Sequence, residues 1–147
     1  MFFLPGSSSL RHYDSNHSSL PLSMPQVPYY AVIFTSKRQA KEGDGYPEMA
    51  EKMDALAKKQ AGFLGIRSVS EVLEESPEGY QLRSGITISY WKDEESIGAW
   101  KRNLEHLLAQ QKGKNEWYLN YEVRVSRVER EYFGGLEGHG PIDEHRE

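Results

Sequence analysis

The stretch Tyr29-Tyr30-Ala31-Val32-Ile33-Phe34-Thr35 constrains the fold more than any other part of the chain. It is β-branched and aromatic, and it is apolar at odd and even positions alike. Side chains alternate between faces along a strand, so a strand of this kind has to be covered on both sides. Whatever surrounds it must supply two apolar surfaces.

The segments that follow supply the first surface. Lys37 to Tyr46 is polar and holds Gly43 and Gly45, the composition of a loop. A helix comes next, with Pro47 near its first turn and Glu48 and Glu51 at the positive end of its dipole. Met49, Met53, Leu56 and Gln60 share a face, with Ala50 and Ala57 beside them, and Gly62 is placed to stop the helix. Phe63 to Glu74 reads as a second strand, in which Leu64, Ile66, Ser68 and Ser70 alternate with Phe63, Gly65, Arg67 and Val69. Glu75-Ser76-Pro77-Glu78-Gly79 is a turn. Tyr80 to Trp91 is a third strand, with Ile86, Ile88 and Tyr90 on one face and Thr87, Ser89 and Trp91 on the other. Asp93 is a helix N-cap with Ser96 at N3. The helix it opens carries Ile97, Trp100, Leu104, Leu107, Leu108 and Gln111 on one stripe, and Gly113 ends or kinks it. Trp117 to Tyr132 contains the last strand, where Leu119, Tyr121, Val123 and Val125 alternate with Asn120, Glu122, Arg124 and Ser126.

The order β-α-β-β-α-β predicts an α+β, ferredoxin-like domain: an antiparallel four-stranded sheet with two helices on one face. Two helices cover one side of that sheet only. The second apolar surface of the first strand therefore calls for another copy of the chain, and the expected assembly is a homodimer with sheets packed face to face. The domain is expected over residues 27–133. Residues 1–26, rich in Ser, Pro and His and without an apolar period, are expected to be a disordered or partner-associated tail. Residues 134–147 are expected to be a flexible C-terminal tail.

Composition narrows the function. The chain holds 22 acidic and 18 basic residues, and the basic ones are interspersed with acids rather than gathered into the stripe that nucleic acid requires. Cysteine is absent, which excludes disulfide scaffolds, thiolate metal sites and a cysteine nucleophile. A reducing, cytoplasmic location is the expectation. No apolar run approaches the ~20 residues of a membrane span, and the opening apolar run stops at Pro5-Gly6, too short for a signal-peptide core. His12 and His17 lack a carboxylate cluster to complete a metal site, so no metal is expected. Gly43-Asp44-Gly45 is not followed by the Lys and Ser or Thr of a phosphate loop.

The segment from Ser89 to Phe133 holds all three tryptophans, and it concentrates the candidate chemistry. Trp100 shares a stripe with Ile97 and Leu104, which suits either core packing or the wall of a pocket for a flat aromatic molecule. His106 is the side chain best suited to moving a proton near neutrality. Its helical angle, however, sets it nearly opposite Ile97, as for a solvated or interface histidine. Asn103, at the edge of the stripe, suits a structural hydrogen bond or donation to a substrate carbonyl. Trp91 and Tyr90 leave their strand on opposite faces. Trp117 and Tyr121 belong to the last strand, as does Arg124, which suits a surface ion pair, a polar cavity or the partner subunit.

The stretches YYAVIF, GDGYPEMAEKMDALAKKQAGFLG, ITISYWKDEESIGAWKRNLEHLLAQ and WYLNYEVRVSRVEREY give residues 29–133 a family resemblance. They resemble the antibiotic-biosynthesis-monooxygenase (ABM) type of dimeric α/β barrel, in a bacterial subgroup of small uncharacterised proteins. The resemblance implies a dimeric barrel and a cofactor-free oxygenase that uses O2 as co-substrate on a small aromatic molecule. On that reading Trp91, Trp100, Trp117 and Tyr121 bind substrate, His106 is the base, and Asn103 or Arg124 steadies the oxyanion. A non-catalytic dimeric binding or stress-related module of the same fold is the alternative. Haem-degrading relatives place an Asn on the first strand and a haem-ligating His ten residues after the helical Trp. Here those positions hold Ile33 or Phe34 and Gln110, so haem is not expected.

Overall fold

A computed structural model of the chain describes residues 26–110 and 117–136. The expectations for residues 1–25 and 137–147, His12 and His17 among them, and for Gln111 and Gly113 lie outside the described residues. The elements are β1 (Tyr29–Lys41), α1 (Tyr46–Lys58), β2 (Phe63–Glu75), β3 (Tyr80–Trp91), α2 (Glu94–Ala109) and β4 (Tyr118–Val128). All four strands join one antiparallel sheet in the order β2-β3-β1-β4. This is the ferredoxin-like arrangement.

β1 runs further than its apolar stretch. Lys37 to Lys41, polar enough to read as loop, is held in the sheet by a continuous ladder to β3 from Lys37↔Ser84 to Lys41↔Tyr80. Backbone pairing, rather than burial, extends the strand there.

Of three register shifts among the described residues of the sheet, the third lying between Val72 and Glu74, two change which rings face the helices. In β2 the register shifts between Phe63 and Gly65, so Phe63 lies opposite Trp91 and shares a face with Ile66. In β4 the shift beside Arg38 puts Tyr118, not Leu119, opposite Arg38. An extra residue in one strand resets the phase of a period-two pattern, and each of these two bulges adds an aromatic ring to the helix-facing side.

The α1–β2 connection fixes α2. Gly62 has φ +87, and a Cβ there would lie 1.9 Å from the Ser96 hydroxyl oxygen. Its carbonyl accepts from the Lys92 N–H at 2.8 Å. Asp93 caps α2 by accepting from the Ser96 backbone N–H at 2.8 Å and from its hydroxyl at 2.7 Å. Those bonds to the ionised carboxylate hold Asp93 below the usual carboxylate range.

The core gathers Val32, Ala57 and Trp91, with Tyr30, Phe63, Ile97 and Trp100 packed against it. The helices rest mainly on β2 and β3. They leave Tyr121, Val123 and Val125 on the helix-facing side of edge strand β4 about half exposed, at 59%, 52% and 49%. The opposite face of the sheet bears no helix among the described residues. It carries Ala31 and Ile33 from β1, Ile86, Ile88 and Tyr90 from β3, and Val69 from β2. No helix among the described residues is long and apolar enough to cross a membrane.

Candidate active site

The floor under the helices is built of hydroxyls. Residues paired across strands share a face, so Val32, Phe34, Ser36 and Arg38 of β1 lie beside Ser89, Thr87, Gly85 and Arg83 of β3. Ile66, Ser68 and Ser70 of β2 complete the row. Ser68 and Thr87 share a hydrogen bond of 2.7 Å. Ser89, which is 2% exposed, accepts from the Trp91 indole N–H at 2.8 Å.

Trp100 roofs one end of this floor. Its ring stacks on Trp91 with centroids 5.0 Å apart and planes 28° from parallel. The Trp100 indole N–H is buried and finds no acceptor among the described residues. Leaving a buried donor unpaired costs about 1–3 kcal/mol. No residue of α2 is fully buried, which shows that the helix does not close tightly on the sheet.

The other end of the same face is aromatic and cationic. Phe34 meets Tyr118 edge-on at 5.3 Å and stacks on Tyr121 at 5.5 Å. Tyr46 joins Tyr118 through a hydroxyl pair at 3.1 Å. Trp117 packs edge-on against Tyr46 and donates its indole N–H to the Asp44 carbonyl at 2.9 Å. Arg38 lies over the Tyr46 ring at 3.6 Å and pairs with Asp44 at 3.3 Å. Arg83 stands opposite Arg38, and burial first, then that neighbouring charge, lower its pKa.

The structure assembles part of the expected set. Trp91 and Trp100 meet. Asn103, three residues on from Trp100, is exposed and donates to the Gln60 side-chain carbonyl at 3.0 Å, tying α2 to the end of α1. Trp117 and Tyr121 join the aromatic group at the other end. His106 is exposed and shares a 3.3 Å hydrogen bond with Gln110. At about 100° per residue it sits some 240° round the helix from Trp100. Arg124 pairs with Ile33 on the helix-free face and binds the exposed Glu122 at 2.8 Å. The sheet itself separates it from Trp100, so the trio His106, Asn103 and Arg124 does not converge within one chain. Ser68, Thr87, Ser89, Arg38 and Arg83 were not singled out from sequence. The polar phase of β3, opposite Ile86, Ile88 and Tyr90, is the signal for Arg83, Thr87 and Ser89, while Arg38 and Ser68 join them only through strand register.

No family model matches the chain. Over 107 residues it is 44% identical to the uncharacterised protein YqjZ of Bacillus subtilis strain 168, a match that takes in 73% of this chain and 85% of YqjZ. Over 100 residues it is 31% identical to Jasmonate monooxygenase ABM of Pyricularia oryzae, covering 67% of this chain and 43% of that enzyme. The chain thus spans less than half the length of the fungal protein. Among solved structures, PA3566 of Pseudomonas aeruginosa is matched over 72% of this chain and 97% of its own, at 17% identity and a TM-score of 0.39.

Proposed function

The chain belongs to the family of YqjZ, and from that premise we propose that it is a cofactor-independent monooxygenase of the ABM type, acting on an electron-rich aromatic substrate with O2. The observation that carries the reading is the unpaired Trp100 N–H, buried above a floor of hydroxyls. An ordinary apolar core has no use for either. The similarity to a jasmonate monooxygenase supports the same direction.

The chemistry asks little of the protein. A phenol that loses its proton becomes electron-rich enough to reduce O2 directly. One oxygen atom enters the ring carbon and the other leaves as water. The two hydrogens of that water are the phenolic proton and the hydrogen displaced from the ring, so the phenol becomes a quinone and is its own reductant. The enzyme supplies a dry, shaped site and a donor to the developing oxyanion. Trp100 walls the ring, backed by Trp91, which is itself fully buried in the core rather than open to substrate, and the Trp100 N–H donates to the phenolate oxygen. Asn103 offers a second donor when it turns from Gln60. Trp117 and Tyr121 line the outer aromatic end.

A second copy of the chain covers the helix-free face in this proposal, since Ile33, Ile86, Ile88 and Val69 form an apolar surface there without a helix. Two sheets packed on that face make the barrel.

O2 uptake with a panel of hydroxylated naphthalenes and anthrones tests the activity. Trp100→Phe keeps the ring and deletes the donor, and kcat is expected to fall at least ~10-fold, as when one oxyanion donor is lost. No uptake by the native protein on any member of the panel removes the reading and leaves a binding module. His106→Ala and Arg124→Ala, both exposed in the single chain, are expected to change kcat by less than about twofold. A larger loss in either variant would show that assembly brings that side chain to the substrate.

A further inference from the structure

We propose that Arg83, at the aromatic end of the helix-facing floor, seats the carboxylate of the substrate, and that the substrate is therefore an aromatic acid. The inference deepens the monooxygenase reading, on which it rests for the identity of the aromatic body.

Two arginines stand directly opposite each other at this end, Arg38 on β1 and Arg83 on β3. Like charges in that relation destabilise a sheet. Arg38 has its counter-charge, Asp44, and the face of Tyr46. Arg83 has neither. Its guanidinium donates to the Gln81 side-chain carbonyl at 2.8 Å and to the Ser70 hydroxyl at 3.0 Å, both neutral. A carboxylate reaches it only at second hand, because Gln81 in turn donates to Glu75 at 3.4 Å. Arg83 is part-buried, and it faces the side of the sheet on which the hydroxyl row lies.

A guanidinium carries five N–H donors in a fixed fork that matches a carboxylate. These two bonds leave guanidinium donors over, and Ser70 and Gln81 hold the group in place. An incoming carboxylate would neutralise the local excess of positive charge and fill those positions. The neighbouring surface suits the rest of such a molecule. Ser36 and Gly85 leave the floor low between the arginines and Thr87, and a Cβ on Gly85 would rest only 3.5 Å from the Ser36 hydroxyl. Phe34, Tyr118 and Tyr121 offer ring faces along the β4 side, where the helices leave the sheet open. An acid bound at Arg83 lies with its rings on these and its far end toward Trp100.

Binding of 1-hydroxy-2-naphthoate and of its methyl ester to the full chain tests this, by calorimetry at low and high salt. The acid is expected to bind at least ~10-fold more tightly than the ester, the scale of a hydrogen bond to a charged group, with the difference shrinking as salt is added. Arg83→Gln is expected to abolish the preference and leave the ester's affinity within about twofold, and Arg83→Lys to keep part of the preference. Unaltered thermal melting shows that each variant is folded, and the lysine variant keeps the test intact if the glutamine one is not. Equal affinity for acid and ester, no binding of either, or an undiminished preference in Arg83→Gln overturns the seat. O2 uptake separates this from the reading above. A preference that vanishes in Arg83→Gln without any uptake upholds the seat and removes the oxygenase. Uptake with no preference for the acid does the reverse.

Discussion

On β3, Ile86, Ile88 and Tyr90 look away from the helices while Thr87, Ser89 and Trp91 look toward them. A two-layer domain whose only purpose is to be stable arranges these the other way round, with branched apolar residues under the helices and hydroxyls in water. Here the helix-facing side is rich in hydroxyls along β2 and β3 between two aromatic ends, while the other side gathers Ile33, Ile86, Ile88 and Val69, bordered by Arg67, Glu122 and Arg124. The inversion teaches that stability and function use different surfaces of one sheet. The tryptophan cluster fastens α2 at one end, the hydroxyl row is the surface proposed to meet a ligand, and the apolar patch is the one proposed to meet a second sheet.

Substitution at Trp91 gives the largest effect. It is fully buried, stacked on Trp100 and edge-on to Phe63. Trp91→Ala is expected to cost about 3–5 kcal/mol in denaturant unfolding. A cost under ~1 kcal/mol would mean that the helices are not anchored at this end. The bare face comes next. Ile88→Arg puts a second positive charge beside Arg67 on the surface proposed to meet a second copy. Sedimentation is expected to show the native chain as a dimer, and the variant dissociating at least ~100-fold more readily because an unpaired charge is costly to bury. A native protein that stays monomeric at micromolar concentration breaks the comparison, since the apolar face would then be wet.

Much of this arrangement is legible in the chain. Period-two alternation in β3 separates the two faces residue by residue, and the β-α-β-β-α-β order follows from apolar periods and their punctuation. The site is less legible, for three physical reasons. Bulges at Leu64 and Leu119 change the phase of alternation without any mark in composition, so Phe63 and Tyr118 read as belonging to the wrong face. The pairing of Arg38 with Arg83 depends on register between strands far apart in sequence. Arg124 and Trp100 are each placed correctly on their own elements, yet only the sheet order shows that the sheet lies between them.

Tyr29 links the bare face to pH. Its hydroxyl donates to Glu131, and it stands edge-on to Tyr90 at 6.0 Å. Burial first, and the Glu131 carboxylate second, raise its pKa well above the ordinary tyrosine value. Burial likewise raises Tyr90. The fold therefore holds the neutral phenol, and the unfolded chain loses that proton earlier, from about pH 10 upward. Below that pH the contribution is complete. Above it the unfolded state binds fewer protons, so stability falls as pH rises. Tyr29→Phe is expected to cost about 1.5–3 kcal/mol near neutrality, as for a hydrogen bond to a charged group, and to flatten the decline above pH 10. A decline as steep in the variant as in the native chain would assign it to other groups.

The smallest expected effect is the most informative about the polar face. Ser68 and Thr87 satisfy each other at 2.7 Å beneath the helices. Removing one hydroxyl leaves the other buried and unpaired, so Ser68→Ala or Thr87→Val alone is expected to cost about 1–3 kcal/mol. Removing both together takes away the bond and the need for it. The double variant is expected to lie within ~1 kcal/mol of the native chain, and the cycle to show a coupling of opposite sign to the single losses. If the pair serves only the fold, the double variant also keeps native ligand affinity and O2 uptake. If the hydroxyls meet a ligand, as the inverted sheet implies, the double variant folds normally and loses binding, a separation that a purely structural floor cannot produce.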